Sequence, residues 1–97
     1  MIVVTGSIIA TPEGFEQVRR LSLEHVRRSR VEPGCISHAV HVDCKNPLRL
    51  VFIEQWEDMP ALMAHFAVPA SRDFTRALRP LATSSSIEIY DARQVKP

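Results

Sequence analysis

Arg49-Leu50-Val51-Phe52-Ile53-Glu54-Gln55-Trp56-Glu57 is the segment around which the rest of the chain is organised. It is rich in aromatic and β-branched residues and sits between turn formers, which predicts a strand. Side chains alternate across a strand, so Leu50, Phe52, Glu54 and Trp56 share one side, and Val51, Ile53 and Gln55 share the other. Both sides carry bulky apolar groups. In a single-sheet α+β domain, helices cover only one face of the sheet. The uncovered face, with Val51, Ile53 and the β-branched residues of the first strand, would be a larger apolar patch than monomers usually expose. A second copy packed sheet to sheet, related by a two-fold axis, is the simplest cover, so a homodimer is expected.

Lys45, Asn46 and Pro47 mark a turn that joins this strand to an earlier one, Cys35–Asp43. If the turn is centred on Asn46, the hairpin pairs His38 with Glu54, Val40 with Phe52 and Ile36 with Trp56. Upstream, Ile2 to Ala10 reads as a buried strand interrupted by Gly6. Thr11-Pro12-Glu13 has the chemistry of a helix start, and Glu32-Pro33-Gly34 that of a stop. Between them the spacing predicts a helix over Glu13 to Val31, with Phe15, Val18, Ser22, Val26 and Ser29 inward and Leu21 and His25 at the margin. Arg19, Arg20, Arg27, Arg28 and Arg30 fall mostly on the outer side. Glu16 and Glu24 interleave with them, which points to a solvated face rather than a phosphate grip.

Downstream, Asp58-Met59-Pro60 opens a second helix, Pro60 to Ala67, and Val68-Pro69 breaks it. Ser71 to Leu81 reads as a third helix, Ser84 to Ser86 as a loop, and Ile87 to Val95 as the last strand. The order is β-α-β-β-α-α-β. It predicts one α+β domain over residues 1–97, a four-stranded antiparallel sheet with helices on one face.

Composition narrows the function. The chain has 97 residues, 45% of them hydrophobic and 24% charged, with a formal net charge of +1. That balance gives no electrostatic reason to expect nucleic acid or an anionic membrane as partner. No run of apolar residues is long enough for a membrane span, and Met1 leads straight into a strand-like segment, so a cytoplasmic protein is expected. Cys35 and Cys44 stand at the two ends of one predicted strand, about 30 Å apart at roughly 3.3 Å per residue. A disulfide needs Cα atoms within about 7 Å, so these two are expected to stay unbridged. No G-x-S-x-G, phosphate loop, G-x-G-x-x-G or paired-acid motif is present, which leaves hydrolase, kinase and nicotinamide chemistry without support.

The hairpin register brings chemistry to one face. His38 beside the half-buried carboxylate Glu54 has the make-up of a base oriented by its partner, with Trp56 and Phe52 as flat walls for an aromatic substrate. On the residues alone the same pair reads more readily as a structural hydrogen bond that keeps a buried carboxylate satisfied. His65, on the second helix beside Phe66, either looks into the same pocket or sits at a helix end on the surface. Phe66, Phe74 and Leu78 form an inner stripe suited to core or pocket lining, and Tyr90 either reaches the pocket or caps the sheet. His41 is three residues from His38 and so faces the other way on the strand, so no metal pair is expected from His38 and His41.

Glu32-Pro33-Gly34-Cys35, Val40-His41-Val42-Asp43, Phe52-Ile53-Glu54-Gln55-Trp56-Glu57-Asp58, Ala61-Leu62 and Ala64-His65 together resemble the antibiotic biosynthesis monooxygenase family, which includes small quinol monooxygenases. The resemblance spans nearly the whole chain in element order. It implies a ferredoxin-like dimeric α/β barrel with a pocket in each subunit between sheet and helices. It also implies oxidation of a quinol or phenolic small molecule by O2 without flavin or metal, the substrate anion passing an electron to O2. The residues placed at such a pocket are His38 as proton acceptor held by Glu54, Trp56, and His65, with Phe52, Phe66, Phe74, Leu78 and Tyr90 against the substrate. Two departures bear on this. Pro69-Ala70-Ser71 stands where many relatives carry Pro-His-Phe. Gly6-Ser7, His65 and Thr75 stand where haem-degrading relatives carry Asn, Trp and His, which disfavours haem degradation. A proton-transfer enzyme such as an isomerase, or a small-molecule-binding dimer without catalysis, remain the alternatives from sequence; fold likeness alone does not choose among them.

Overall fold

A computed structural model describes residues 1–97. The elements are β1 (Ile2–Ala10), α1 (Phe15–Ser29), β2 (Cys35–Val42), β3 (Arg49–Trp56), α2 (Met59–Ala67), α3 (Pro69–Leu78), a 3-10 turn (Arg79–Leu81) and β4 (Ala82–Asp91). The four strands form one antiparallel sheet in the order β2-β3-β1-β4, with the helices on one face, a ferredoxin-like α+β fold. No helix is long and apolar enough to cross a membrane.

The hairpin register expected from Asn46 holds at its centre, where His38 pairs with Glu54 and Val40 with Phe52. It fails at the far end. An irregularity between Cys35 and Ser37 puts Cys35, not Ile36, opposite Trp56 and turns Ile36 outward, 51% exposed. An extra residue in one strand shifts every side chain beyond it to the other face. Central β3 has the predicted alternation, with Leu50, Phe52, Glu54 and Trp56 buried and Ile53 exposed.

Two helix starts follow different local chemistry. At α2 the Asp58 carboxylate accepts from Ala61 N–H at 2.9 Å, an ordinary side-chain cap. At α1 the Thr11 hydroxyl accepts from Gly14 N–H at 2.9 Å and closes a turn instead, so the helix begins later than expected, at Phe15. The stop at Gly34 is as the sequence suggests. Its φ of 82° is left-handed, and a Cβ there would lie 2.5 Å from the Ala61 Cβ, so only glycine fits between the end of α1 and the start of α2.

The last strand differs most from expectation. Ser84, Ser85 and Ser86 lie within β4, paired with Ile9, Ile8 and Ser7. Cross-strand pairing to β1 outweighs the weak strand propensity of serine. The strand ends at Asp91 rather than Val95. Helix-face residues of β4 stay open: Ile87 is 55% and Ile89 43% exposed, because the helices cover the sheet only as far as β1.

The core falls into two apolar clusters. One gathers Ile8, Ala10, Val18, Val26, Leu50, Phe52 and Leu78, and the other Ile2, Val4, Trp56 and Leu62. Along β3, Phe52 belongs to the first and Trp56 to the second, with Glu54 between them. That gap in the apolar core is where the polar residues meet.

Candidate active site

Three elements deliver imidazoles to the gap. His38 comes from β2, His25 from the inner face of α1 and His65 from the last turn of α2, and all three are buried. Their rings stand close: the centroid of His25 is 5.4 Å from that of His38 and 5.2 Å from that of His65, and His38 and His65 are 5.7 Å apart. His25 also stacks on Phe74 at 4.1 Å with an interplanar angle of 7°.

Two carboxylates hold the group. Glu54 accepts from the Trp56 indole N–H at 2.9 Å. His38 Nε2 is 3.3 Å from the same Glu54 oxygen, within ion-pair range, but it is not aligned for a hydrogen bond, and both His38 ring nitrogens lack a partner. Burial works against the Glu54 carboxylate, but His38 first, then the Trp56 N–H and His65, outweigh it and hold its pKa below the usual range. The second pair is better aligned: His65 Nδ1 lies 2.8 Å from Glu32 Oε1. A carboxylate can only accept, so Nδ1 carries the proton and Nε2 is left as an acceptor. Burial, followed by the neighbouring His38 and His65 rings, lowers the His25 pKa from 6.5 to about 3, which makes it a neutral imidazole.

A cavity of about 720 Å³ lies against this group, between the sheet, α2, α3 and β4. Of the residues expected at the pocket, Glu54, His65, Phe52, Phe66, Phe74 and Leu78 line it. Gly6 lines it too, on the helix face between Val4 and Ile8, where a side chain would occupy the space. Serines and threonines of β4 form the polar side of the mouth.

Three expected site residues lie elsewhere. His38 and Trp56 are 1% and 0% exposed and sit behind the wall, touching Glu54 rather than the cavity. His38 is therefore a poor candidate for direct contact with substrate. Tyr90 pairs with Val3, whose side chain faces away from the helices, so Tyr90 is on the opposite face of the sheet. There it is 48% exposed and its hydroxyl donates to Glu88.

Sequence reasoning missed two participants. The helical spacing sets His25 at the margin of the inner face, and Glu32 reads as part of the helix stop, with no role at a pocket for either. His38 and His41 do face opposite ways, as expected, but His25 and His65 converge on His38 from two helices. The signal available was weak: an imidazole at the margin of an inner helix face made of valines and serines, and an acid just past the helix end.

A family model described as antibiotic biosynthesis monooxygenase matches residues 1–77. An uncharacterized protein of Synechocystis, sll1783, is 36% identical over 90 residues, 92% of this chain; the match spans 61% of that protein's length. The crystal structure of a candidate antibiotic biosynthesis monooxygenase from Deinococcus radiodurans superposes with a TM-score of 0.96 at 26% identity, covering 100% of this chain and 97% of that one. PA3566 from Pseudomonas aeruginosa superposes with a TM-score of 0.88 at 27% identity over 96% of this chain and 94% of its own. A family model matched along most of the chain, and an overlay of the whole fold, lead to one conclusion: the chain belongs to the antibiotic biosynthesis monooxygenase family.

Proposed function

We propose that this chain is an O2-dependent monooxygenase of a quinol or related phenol, working as a homodimer, with the substrate anion itself supplying the electrons. The observation that carries the reading is the aromatic-walled cavity of about 720 Å³ with a carboxylate-held imidazole at its edge. Phe52, Phe66 and Phe74 suit a flat ring, and the volume suits one or two fused rings with substituents.

The proton acceptor is His65, in place of His38. Glu32 holds its Nδ1–H, which orients the ring and stabilises the imidazolium that forms when Nε2 takes the phenolic proton. Glu54, an ionised acceptor fixed by Trp56, is placed to receive a second hydroxyl of a quinol. The phenolate then reduces O2. Overall, a ring C–H and the O–H lose their hydrogens; one oxygen atom becomes a new ring carbonyl, and the other leaves as water with both hydrogens. His65 also lines a smaller hollow of about 300 Å³ on the outer side, where Glu32, Glu57 and Asp58 meet solvent. Its proton has a way out through Glu32.

The test is turnover of a panel of quinols and naphthols, followed by O2 uptake and repeated without air. Oxygen-dependent turnover is expected, with His65→Gln lowering it by about 10²- to 10⁴-fold, the usual range for a general base. Glu32→Gln keeps the hydrogen bond but not the charge, and an intermediate loss is expected. Product formation that persists without O2 would replace oxygenation with proton-transfer chemistry such as isomerisation.

A further inference from the structure

The three imidazoles invite a second question, because His25 and His38 keep ring nitrogens that no protein group satisfies, while His65 is held by Glu32 at Nδ1 alone. One ring nitrogen each from His25, His38 and His65 lies within 4.8 Å of the other two, and all three residues are buried. His25 Nδ1 and both nitrogens of His38 have no hydrogen-bond partner. Buried polar atoms are nearly always paired, so a cluster of three orphans at one spot needs a reason. Mutual hydrogen bonding does not supply it.

We propose that His25, His38 and His65 form a three-histidine site for a divalent transition-metal ion of the imidazole-binding kind, with its open position towards the cavity. Imidazole as the ligand type suits zinc, copper, nickel or iron, and excludes calcium and magnesium, which take oxygen. Three imidazoles bound at roughly 2.0–2.1 Å in a tetrahedral arrangement hold their nitrogens about 3.4 Å apart. From the 4.8 Å limit, each ring has to move inward by less than about 1 Å, within the reach of a small χ rotation.

The surroundings fit a metal site in two further ways. Metal-bound histidines commonly donate their other N–H to a carboxylate, which fixes the ring; Glu32 does this at His65, 2.8 Å from Nδ1. The Glu54 carboxylate beside His38 offsets the charge of the ion. Arg28, whose charge acts on His25, is paired with Glu24 at 3.1 Å. One consequence rests on the functional reading above: ion and proton compete for the same lone pair on His65, so a loaded site no longer accepts a proton there.

The experiment is cobalt titration of tag-free, chelator-stripped protein, followed by visible absorption and calorimetry in the absence of substrate. One Co2+ per chain is expected, with the intense visible bands of a four- or five-coordinate ion and no thiolate charge-transfer band from Cys35 or Cys44. His25→Phe, which keeps the stack on Phe74, and His65→Gln, which keeps a partner for Glu32, should each weaken binding by at least about tenfold, since each removes one of three ligands. His41→Gln, on the exposed side of β2, should leave it unchanged. If either cluster variant fails to fold, the other decides. Binding that survives both substitutions, bands of a six-coordinate aqueous-like ion, or no binding to folded wild-type protein would overturn the site. Because no substrate is present, none of these outcomes depends on whether the protein oxygenates a quinol.

Discussion

At the residue scale, His65 and His25 are two buried imidazoles set to different tasks by their neighbours. His65 has a carboxylate at Nδ1, whereas His25 is governed first by burial and the His38 and His65 rings, with the charges of Glu54 and Arg28 acting in opposite senses as lesser influences. The unfolded chain takes up a proton on His25 near pH 6.5, whereas the folded chain refuses it until about pH 3. Between those values the unfolded state binds more protons, so stability must fall as the pH falls, with a slope approaching about 1.4 kcal/mol per pH unit. In metal-free protein, urea midpoints followed from about pH 7 to about pH 4 should drop more steeply for wild type than for His25→Phe. Equal slopes would mean that His25 is protonated in the fold. What could be read at this scale from sequence was the pair on neighbouring strands, His38 and Glu54, because strand register is a local count. His25 and Glu32 were not legible, since their meeting with His65 depends on how two helices lie on the sheet, and periodicity gives only the face.

At the scale of elements, two glycines define what the strands and helices can do around the cavity. Gly34 joins α1 to β2 with a left-handed φ and against Ala61. Gly34→Ala should cost about 1–3 kcal/mol for the strained backbone alone, with added cost from the clash. For a domain of this size that lowers Tm by roughly 4–8 °C per kcal/mol. Gly6 is the opposite case: a Cβ there would meet the Phe52 Cβ at 3.5 Å, ordinary contact, so Gly6→Ala should be tolerated. Gly6→Leu should fill the cavity, raising KM sharply while the thermal transition persists; an unchanged KM would show that substrate binds elsewhere. The central elements were legible because β3 and the inner face of α1 have strong periodicity. The ends were not: a single irregularity at Cys35–Ser37 turned Ile36 out, and three serines that read as a loop are held in β4 by pairing with β1.

At the scale of the whole molecule, the sheet has one face under helices and one without cover. On the open face Ile53 is 45% exposed, close to Val3 and Val51 through the β1–β3 register. Helix-side Ile87 and Ile89 on β4 are exposed as well, which sequence reasoning did not foresee, because the helices stop short of that edge strand. The proposed homodimer through the open face would cover Val51 and Ile53, the residues whose alternation suggested it. Sedimentation of wild type should report about twice 11.0 kDa, and Ile53→Glu should shift it to the monomer mass. A wild-type protein that stays at 11.0 kDa at high concentration would remove the dimer from the account.

In the proposed reaction the cavity inserts one atom of O2 into an aromatic ring, with His65 as the proton acceptor. Turnover of a quinol or naphthol under 18O2, followed by mass spectrometry of the product, tests it most directly. A single heavy oxygen is expected in each product molecule, with the other recovered in water, and near-complete loss of labelled product in His65→Gln. Unlabelled product, whether accompanied by hydrogen peroxide or formed without O2, would contradict it.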